Sequence, residues 1–278
     1  MAAFAARWLP VPFQKAIYRS GPLAKLIRGR LNQATPTGIM EFTVAGGALE
    51  GKHLLLDFKV EKNLWLGTYE LDLTAAIQEL VSPGMIVYDV GANLGYMSLI
   101  FAEKVGESGQ VFSFEALPSN VERLRANLEV NPQISNIEIV PNAVTDSTGT
   151  VEFLVHESHA AGKVVGSAGR DATYEERIVI PTISLDDFVF SQGHPAPQVV
   201  KMDIEGGEVL ALPGMRRILE EHQPLLFLEL HGEESKRVGW EILTSTGYTF
   251  HELNSPYPIV ESPRNDEWIS YYMARPPK

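Results

Sequence analysis

Short apolar runs alternate with helix-type segments through most of this chain, and this alternation restricts the folds that it can adopt. Strands are predicted at residues 85–90, 111–115, 137–141, 197–204 and 225–230, and helices at 95–104, 118–130, 205–211 and 233–246. Continuous apolar strands separated by helices are typical of a parallel sheet covered on both faces. The sequence therefore predicts a doubly wound α/β fold.

Further elements are predicted on either side of the alternation and within it. Alternating apolar residues around Gly46-Gly47 predict a β-hairpin within residues 39–58, and residues 70–81 have helical spacing. Segments 150–156 and 177–183 predict a second hairpin. Residues 248–250 and 268–275 predict two closing strands with no helix between them.

Composition and charge exclude several classes of function. The chain has 278 residues and a net charge of −12, from 23 basic and 35 acidic side chains. The negative electrostatic field of such a chain repels a polyanion, so nucleic acid is not expected as a partner. The absence of cysteine excludes disulfides, thiolate metal sites and a cysteine nucleophile. No apolar run approaches the roughly 18 residues of a membrane-spanning helix, and a cytoplasmic location is expected.

Residues 1–38 differ from the rest because all of their charged side chains are basic. After Ser20-Gly-Pro22 the spacing predicts a short amphipathic helix with this apolar face: Leu23, Leu26, Ile27 and Leu31. One interpretation is contact with an anionic membrane or a charged partner, which would make the protein membrane-peripheral. The other is packing on its own domain or on a second copy in a homodimer. We divide the chain into this appendage, 1–38, and a main domain, 39–278.

The loop after the first strand of the alternation has the features of a ligand site. Gly91 and Gly95 allow close approach of the backbone, and Glu115 ends the next strand, 26 residues after Asp89. A dinucleotide site requires G-x-G-x-x-G, but Asn93 replaces its middle glycine. A carboxylate at Asp89 would repel a pyrophosphate, whereas it could hold an ammonium group directly or through water. A ligand that joins an amino acid to a ribose offers an ammonium group to Asp89 and hydroxyls to Glu115. S-adenosylmethionine is such a ligand.

Three motifs, DVGANLG (89–95), FEALPSN (114–120) and KMDIEGGE (201–208), together with their order, resemble the FkbM family of class I S-adenosylmethionine-dependent methyltransferases. The similarity extends over roughly residues 65–232. It implies a Rossmann-like sheet of seven strands whose last strand is antiparallel. It also implies methyl transfer, usually to an oxygen of a sugar or a specialised metabolite.

The resemblance also assigns cofactor-binding residues. It implies that Gly91, Asn93 and Gly95 surround the methionine part of the cofactor, with Asp89 beneath them, and that Glu115 binds the ribose hydroxyls. The adenine contacts that it implies are these: Ala116, Asn142 and the backbone of Ala143. The alternative for Asn142 is a turn residue whose side chain only caps the local backbone.

Catalytic candidates follow the fourth and fifth strands. Asp203 and Glu205 alternate at a strand end, so both carboxylates can face a cofactor sulfonium or a substrate hydroxyl. His231 is the predicted general base, because an imidazole with an ordinary pKa near ~6.5 suits proton removal at neutral pH. The alternative is a hydrogen-bonded structural histidine. Glu208 is interpreted as an acid in the first turn of a helix.

No metal is expected at this site. A Mg²⁺ site could use Asp186, Asp187 and Asp203, but the motif Ser184-x-x-Asp187 is a capping box that explains the first two acids. The weakly apolar stretch 156–176 is predicted to be a loop that recognises the acceptor.

These observations predict an O-methyltransferase that acts on a hydroxyl of a sugar, glycan or specialised metabolite. The acceptor is then a small molecule or a carbohydrate. Alternatives are a methyltransferase acting on a carboxylate or amide of a small molecule or peptide, an NAD-dependent oxidoreductase, and a non-catalytic binding protein.

Overall fold

The computed structural model describes residues 38–156, 162–168, 174–264 and 267–277. The basic helix predicted within residues 1–38, with its membrane or dimer contacts, lies outside the described residues except for Gly38. The chain divides into two compact units, Met1–Tyr69 and Glu70–Lys278, and each is described by itself. Within the described residues, no helix has the length and hydropathy needed to cross a bilayer.

The described part of the first unit is a hairpin followed by one helical turn. Strands β1 (Ile39–Thr43) and β2 (His53–Asp57) pair antiparallel, which confirms the predicted hairpin, and α1 (Lys62–Leu66) follows. Aromatic rings hold these elements together: Phe42 and Phe58 stack with centroids 4.8 Å apart, and Trp65 meets Phe58 edge-on at 5.1 Å.

The second unit contains the predicted alternation of helices and strands. Its elements in chain order are α2 (Leu71–Leu80), β3 (Ile86–Val90), α3 (Tyr96–Val105), β4 (Gln110–Phe114), α4 (Pro118–Glu129), β5 (Ile137–Val140), β6 (Ala143–Val144), β7 (Gly149–His156), β8 (Gly162–Val164), β9 (Tyr174–Ile183), β10 (Val199–Met202), α5 (Glu208–Ala211), α6 (Arg216–Glu221), β11 (Leu225–His231), α7 (Gly232–Ser245), β12 (Thr249–His251), β13 (Ile259–Val260) and β14 (Ile269–Arg275).

The large sheet has the strand order β13-β12-β14-β11-β10-β3-β4-β5. Strands β5, β4, β3, β10 and β11 are parallel, and β14 runs antiparallel between β11 and β12. The predicted Rossmann-like fold with an antiparallel closing strand is confirmed, and the two-residue β13 adds an eighth strand. The strand order changes direction between β3 and β10, because β4 and β5 follow on one side of β3 and β10 lies on the other. Ligands bind at this switch point in such sheets, where the loops after β3 and β10 meet.

A second sheet interrupts the alternation, with the order β6-β9-β7-β8. Strands β7 and β9 form the predicted second hairpin. The stretch 156–176 was expected to be an irregular loop, but β8 lies within it and pairs with β7, and β7 and β9 extend into its two ends, so that expectation is wrong for residues 156, 162–164 and 174–176. Val164 of β8 is buried in the same apolar cluster as Phe153 of β7, and a single apolar contact of this kind leaves no period in the sequence.

An aromatic cluster under β3 and β4 forms the centre of the core. Tyr88, Phe112, Phe114 and Phe188 have ring centroids 5.1–5.6 Å apart, and the phenol of Tyr88 donates to the Pro195 carbonyl at 2.7 Å. Burying a phenol requires a partner for its hydroxyl, and this contact supplies it.

The Ser184 motif behaves as a cap, although the turn that it opens is a π-helix, Asp187–Ser191. The Asp187 amide donates to Ser184 Oγ at 3.1 Å, while the Asp187 carboxylate accepts from Thr148 and Ser191. Asp186 caps the start of α6, since its two oxygens accept backbone N–H groups at 2.9 Å. Both carboxylates therefore have structural partners, and the alternative in which they bind Mg²⁺ with Asp203 loses its support.

We predict that Gly214→Ala destabilises the second unit, because a Cβ there would lie 2.2 Å from the backbone oxygen of Thr145. The backbone must then shift, at a cost of about 1–3 kcal/mol. Gly149→Ala is the matched control, since its Cβ would meet nothing closer than Thr182 Oγ1 at 4.0 Å. Denaturant unfolding of both variants measures the difference. Equal midpoints for the two variants would contradict the packing described here.

Candidate active site

Polar side chains collect on one face of the large sheet, near the carboxyl ends of its central strands. The register aligns Asp89 of β3 with Lys201 of β10, and Lys201 with Phe227 of β11. Glu229 and His231 follow Phe227 at alternate positions and so lie on the same face. The structure brings them together with Asp203 and Glu205, and the meeting of Asp203, Glu205 and His231 was predicted from the strand ends.

The glycines of the 91–95 loop are required by the protein itself. Gly91 has φ +84°, and a Cβ there would lie 1.8 Å from the backbone oxygen of Asp203. Gly95 has φ +92°, and a Cβ there would approach Leu124 to 2.3 Å. The expectation that these residues are small to admit a ligand is thus incomplete, because close packing of β3 against its neighbours already demands glycine.

Glu115 joins the two loops that follow β3 and β4. Its Oε2 accepts the amide N–H of Asn93 at 2.7 Å, and its Oε1 accepts that of Leu117 at 2.8 Å. Burial raises the pKa of the Glu115 carboxyl, and these hydrogen bonds partly oppose the rise. The Asn120 side chain and the Ala116 backbone amide also hydrogen-bond to this carboxylate, so four donors of the chain itself hold it in place.

The predicted adenine residues lie beside the small sheet. Ala143 is buried in an apolar cluster with Leu117 and Phe153, and Ala116 packs against this cluster. Asn142 is half-buried, and its backbone N–H donates to the Val140 carbonyl at 2.8 Å. An apolar wall with a polar group at its margin suits a flat heterocycle, and the adenine contacts stay a prediction.

Lys201 is buried between two carboxylates. Its Nζ lies 3.5 Å from Asp89 Oδ1 and 3.6 Å from Asp203 Oδ2, and it donates to the Gly91 carbonyl at 3.1 Å. Burial lowers the pKa of Lys201, but the charges of Asp203 and Asp89 outweigh it and raise the pKa above its ordinary value. The ammonium group is therefore a permanent charge of the site.

Asp89 lies buried beside a cation of its own chain. Its side chain is fully buried, and its Oδ2 accepts the Ser98 hydroxyl at 2.6 Å. Its Oδ1 lies 3.5 Å from the Lys201 ammonium group. The contact of Asp89 with the cofactor, directly or through water, stays a prediction.

His231 is surrounded by carboxylates. Its Nδ1 lies 3.2 Å from Glu208 Oε1, and its Nε2 lies 3.2 Å from Glu229 Oε1, 3.7 Å from Glu205 Oε2 and 3.9 Å from Asp203 Oδ1. Burial alone would lower the pKa of His231, yet hydrogen bonds with Glu208 and Glu229 raise it to about 11. The imidazole is thus protonated at neutral pH, and a protonated imidazole has no lone pair with which to act as a general base.

Glu208 is the residue whose role the sequence analysis missed. It is fully buried, and besides His231 it accepts the Ser235 hydroxyl at 2.9 Å and the Ile204 amide at 3.2 Å. An acid in the first turn of a helix is ordinarily exposed. The signal that could have identified it is its place between two buried segments, directly after the glycines of the loop.

Glu205 is the most accessible acid of the cluster, with 60% of its side chain exposed. Its carboxylate nevertheless lies 3.7 Å from the buried imidazole of His231. Partial burial of the carboxylate raises the pKa of Glu205, although the charge of His231 opposes the rise. Its backbone adopts the left-handed conformation, with φ +53°, which non-glycine residues rarely adopt outside constrained sites.

Two sets of side chains have the composition of a cation site: Asp203, Glu205 and His231, and Glu70, Asp203 and Glu229. Their ligand-type atoms lie within 4.8 Å of one another in each set. Lys201 and His231 already supply two positive charges among these carboxylates, which offsets the repulsion that a metal would otherwise relieve.

Comparisons with curated proteins identify methyltransferases. The hexuronic acid methyltransferase AglP of Haloferax volcanii is 28% identical over 162 residues, which are 58% of this chain and 62% of the relative. A protein-L-isoaspartate O-methyltransferase of Methanothrix thermoacetophila is 50% identical over 46 residues, 16% of this chain and 22% of that protein. The chain spans less than two thirds of the length of these relatives.

Among solved structures, the FkbM methyltransferase of Methylobacillus flagellatus matches with 19% identity and a TM-score of 0.46, covering 69% of this chain and 43% of that one. The sequence itself matches the methyltransferase FkbM domain over residues 89–269. Because this match includes well over half of the chain, the protein belongs to the FkbM methyltransferase family.

Proposed function

We propose that this chain transfers a methyl group from S-adenosylmethionine to a hydroxyl oxygen of a sugar, free or within a glycan or specialised metabolite. The observation that carries the proposal is the meeting of Asp203, Glu205 and His231 at the same sheet edge as the 91–95 loop and Glu115. The name of the Haloferax relative, a hexuronic acid methyltransferase, supports a sugar as the acceptor class; a hexuronic acid has both hydroxyls and a carboxylate, so the name does not decide which oxygen receives the methyl group.

The residues present fit this cofactor, which supplies a methyl group on a positively charged sulfur. Glu115, which orders both loops, is the acid that we assign to the ribose hydroxyls. Asp203, with 20% of its side chain exposed, provides negative charge close to the 91–95 loop. Gly91, Asn93 and Gly95 shape that loop, and Ala116, Asn142 and Ala143 border the adenine side.

Within this proposal, Glu205 rather than His231 removes the acceptor proton. His231 is held as a cation, so the original general-base assignment does not suit it. Glu205 is accessible, and its raised pKa brings it closer to the range in which a base works at neutral pH. His231 then positions Glu205 and balances its charge, while alignment of oxygen, methyl and sulfur supplies much of the acceleration.

The charge of the site favours a hydroxyl over the alternative acceptor, a carboxylate. Asp203, Glu205 and Glu229 would repel a second anion at the distances found here. The family match argues against the oxidoreductase alternative. A non-catalytic role predicts cofactor binding without transfer to any acceptor. A cytoplasmic location, a homodimer and membrane association stay predictions.

We predict that Glu115→Ala weakens binding of S-adenosylhomocysteine by about tenfold or more, because hydrogen bonds to a charged group contribute about 1.5–3 kcal/mol. Calorimetric titration measures the dissociation constant. Glu107→Ala is the control, since this exposed acid precedes β4 at the opposite end of the strand. Unchanged affinity in Glu115→Ala would contradict the assignment of the ribose site.

We predict that Glu205→Gln lowers kcat by about 10²-fold, a typical contribution of general-base catalysis, and leaves cofactor affinity unchanged. The matched control is Glu241→Gln, which removes an exposed carboxylate of α7 that pairs with Arg237 at 3.0 Å. Steady-state kinetics with a sugar acceptor provide the measurement. If Glu205→Gln retains wild-type kcat, proton removal belongs to another group.

We predict that His231 does not titrate between pH 6 and 9, because its pKa is raised from 6.5 to about 11. Its protonated form adds stability that is complete below the unfolded-state pKa and is lost as pH rises toward the folded-state pKa. NMR of the imidazole protons tests this directly. Glu208→Gln should lower the pKa of His231, and a wild-type midpoint near the ordinary value would refute the charged state.

A further inference from the structure

The turn that presents Glu205 has a backbone conformation that a glutamate rarely adopts. Residues 204–207 form this turn, and the Gly207 amide closes it by donating to the Ile204 carbonyl at 3.0 Å. Both central residues have positive φ, +53° at Glu205 and +94° at Gly206. This is the pattern of a type I′ turn, whose central positions are dominated by Gly, Asn and Asp. Glu205 is therefore an unfavourable residue at its position, and the turn needs support from its neighbours.

Glu208 supplies support from inside the protein. Its Oε1 accepts the Ile204 amide at 3.2 Å and the Gly206 amide at 3.4 Å. These two N–H groups lie directly before and directly after Glu205 in the chain. One carboxylate oxygen thus holds both sides of the left-handed residue and satisfies two backbone donors of the turn.

Ser235 holds the other oxygen of the same carboxylate. Its hydroxyl, in the first turn of α7, donates to Glu208 Oε2 at 2.9 Å, and both residues are fully buried. Glu208 also pairs with His231, but replacing a buried ion pair by apolar residues of similar volume is often neutral or stabilising. Stability alone therefore does not explain why a carboxylate stands here.

The inserted sheet supports the same turn through its backbone. The amide of Ala168, which follows β8, donates to the Gly206 carbonyl at 2.9 Å. Glu205 itself has an accessible carboxylate, 3.7 Å from His231 Nε2. The backbone of the turn is thus fixed from two sides, whereas the acid that it presents is open to solvent. Left-handed residues other than glycine persist where their surroundings over-determine them, and such residues cluster at active sites.

We propose that Ser235 and Glu208 are positioning residues, which together hold the 204–207 turn so that the Glu205 carboxylate faces the acceptor hydroxyl. The inference rests on the proposed function, in which Glu205 removes the acceptor proton. It adds two buried residues that act on the reaction without touching the substrate. A small displacement of a reacting group lowers the rate strongly, because the bound atoms must be aligned for reaction.

Ser235 distinguishes positioning from a charge effect. A Glu208 variant changes the support of the turn and also removes the negative charge beside His231. The Ser235 hydroxyl is neutral, so Ser235→Ala frees one oxygen of Glu208 and leaves both charges in place. A loss of activity in Ser235→Ala is then a loss of positioning.

The test compares the wild type with Ser235→Ala and Glu208→Gln. Hydrogen exchange followed by NMR measures the protection of the Ile204 and Gly206 amides in the free proteins. Steady-state kinetics with the methyl glycosides of glucose and of glucuronic acid give kcat and KM, and calorimetry gives the affinity for S-adenosylhomocysteine. Unfolding midpoints verify that the variants fold, and Ser235→Ala alone decides where Glu208→Gln does not fold.

Ser270→Ala is the matched control. This serine is also buried, with 2% of its surface exposed, and it lies on β14 opposite Leu230, on the other face of the sheet from His231. The control therefore removes a buried hydroxyl without changing the support of the turn.

In Ser235→Ala we expect the Ile204 and Gly206 amides to exchange about tenfold faster, because the carboxylate that accepts them is no longer fixed at its second oxygen. The same variant should lower kcat by about tenfold, which corresponds to about 1.4 kcal/mol. KM and cofactor affinity should stay unchanged, because the lost interaction acts only in the transition state. Glu208→Gln should lower kcat further, and Ser270→Ala should match the wild type in exchange and kinetics.

Wild-type exchange at both amides in Ser235→Ala would overturn the inference, as would a loss of activity that appears in KM and leaves kcat unchanged. The outcomes also separate the inference from the proposed function. Methyl transfer by the wild type with an unchanged kcat in Ser235→Ala removes the positioning role and leaves the function. Faster exchange in Ser235→Ala, without transfer to either glycoside by the wild type, supports the hold on the turn and removes the function.

Discussion

The buried ammonium group of Lys201 is the interaction on which this site depends. It lies within 3.6 Å of carboxylates from β3 and from the loop after β10, the two strands between which the sheet reverses its order. Without that charge, two carboxylates would share a poorly solvated space, and breaking a buried pair of this kind typically costs about 3–5 kcal/mol. The lysine therefore joins the two loops electrostatically before any ligand contributes.

A second charged group repeats this arrangement at the end of β11. Glu208 and Glu229 enclose the imidazole of His231, which raises its pKa to about 11 and turns a residue type associated with proton transfer into a fixed cation. The two cations divide the acids into those that are neutralised and buried, such as Glu208, and those that are accessible, such as Glu205. In our proposal the accessible acid Glu205 removes the acceptor proton.

Much of the fold was predictable from the sequence, because apolar runs such as 225–230 and the helical segments around them have clear periods. The convergence of Asp203, Glu205 and His231 was also predictable, since parallel strands end at one edge of a sheet. The roles of these groups were not. Lys201 stood in an apolar run as an ordinary strand residue, and Glu208 had the appearance of a helix-start acid. Their partners come from other strands, and register between distant segments cannot be obtained from local patterns. The contact of Ser235 with Glu208 was missed for the same reason.

The contact between Ala168 and Gly206 has a consequence for how such enzymes diversify. It connects Ala168, which follows β8 of the inserted sheet, to the loop that bears Glu205, while Glu115 follows β4 and orders the 91–95 loop. In our proposal, the cofactor residues and the acid that meets the acceptor therefore lie on separate stretches of chain. On that proposal, the inserted sheet can change in sequence and length, and acceptor choice can shift, while the parallel core and its cofactor loops stay as they are.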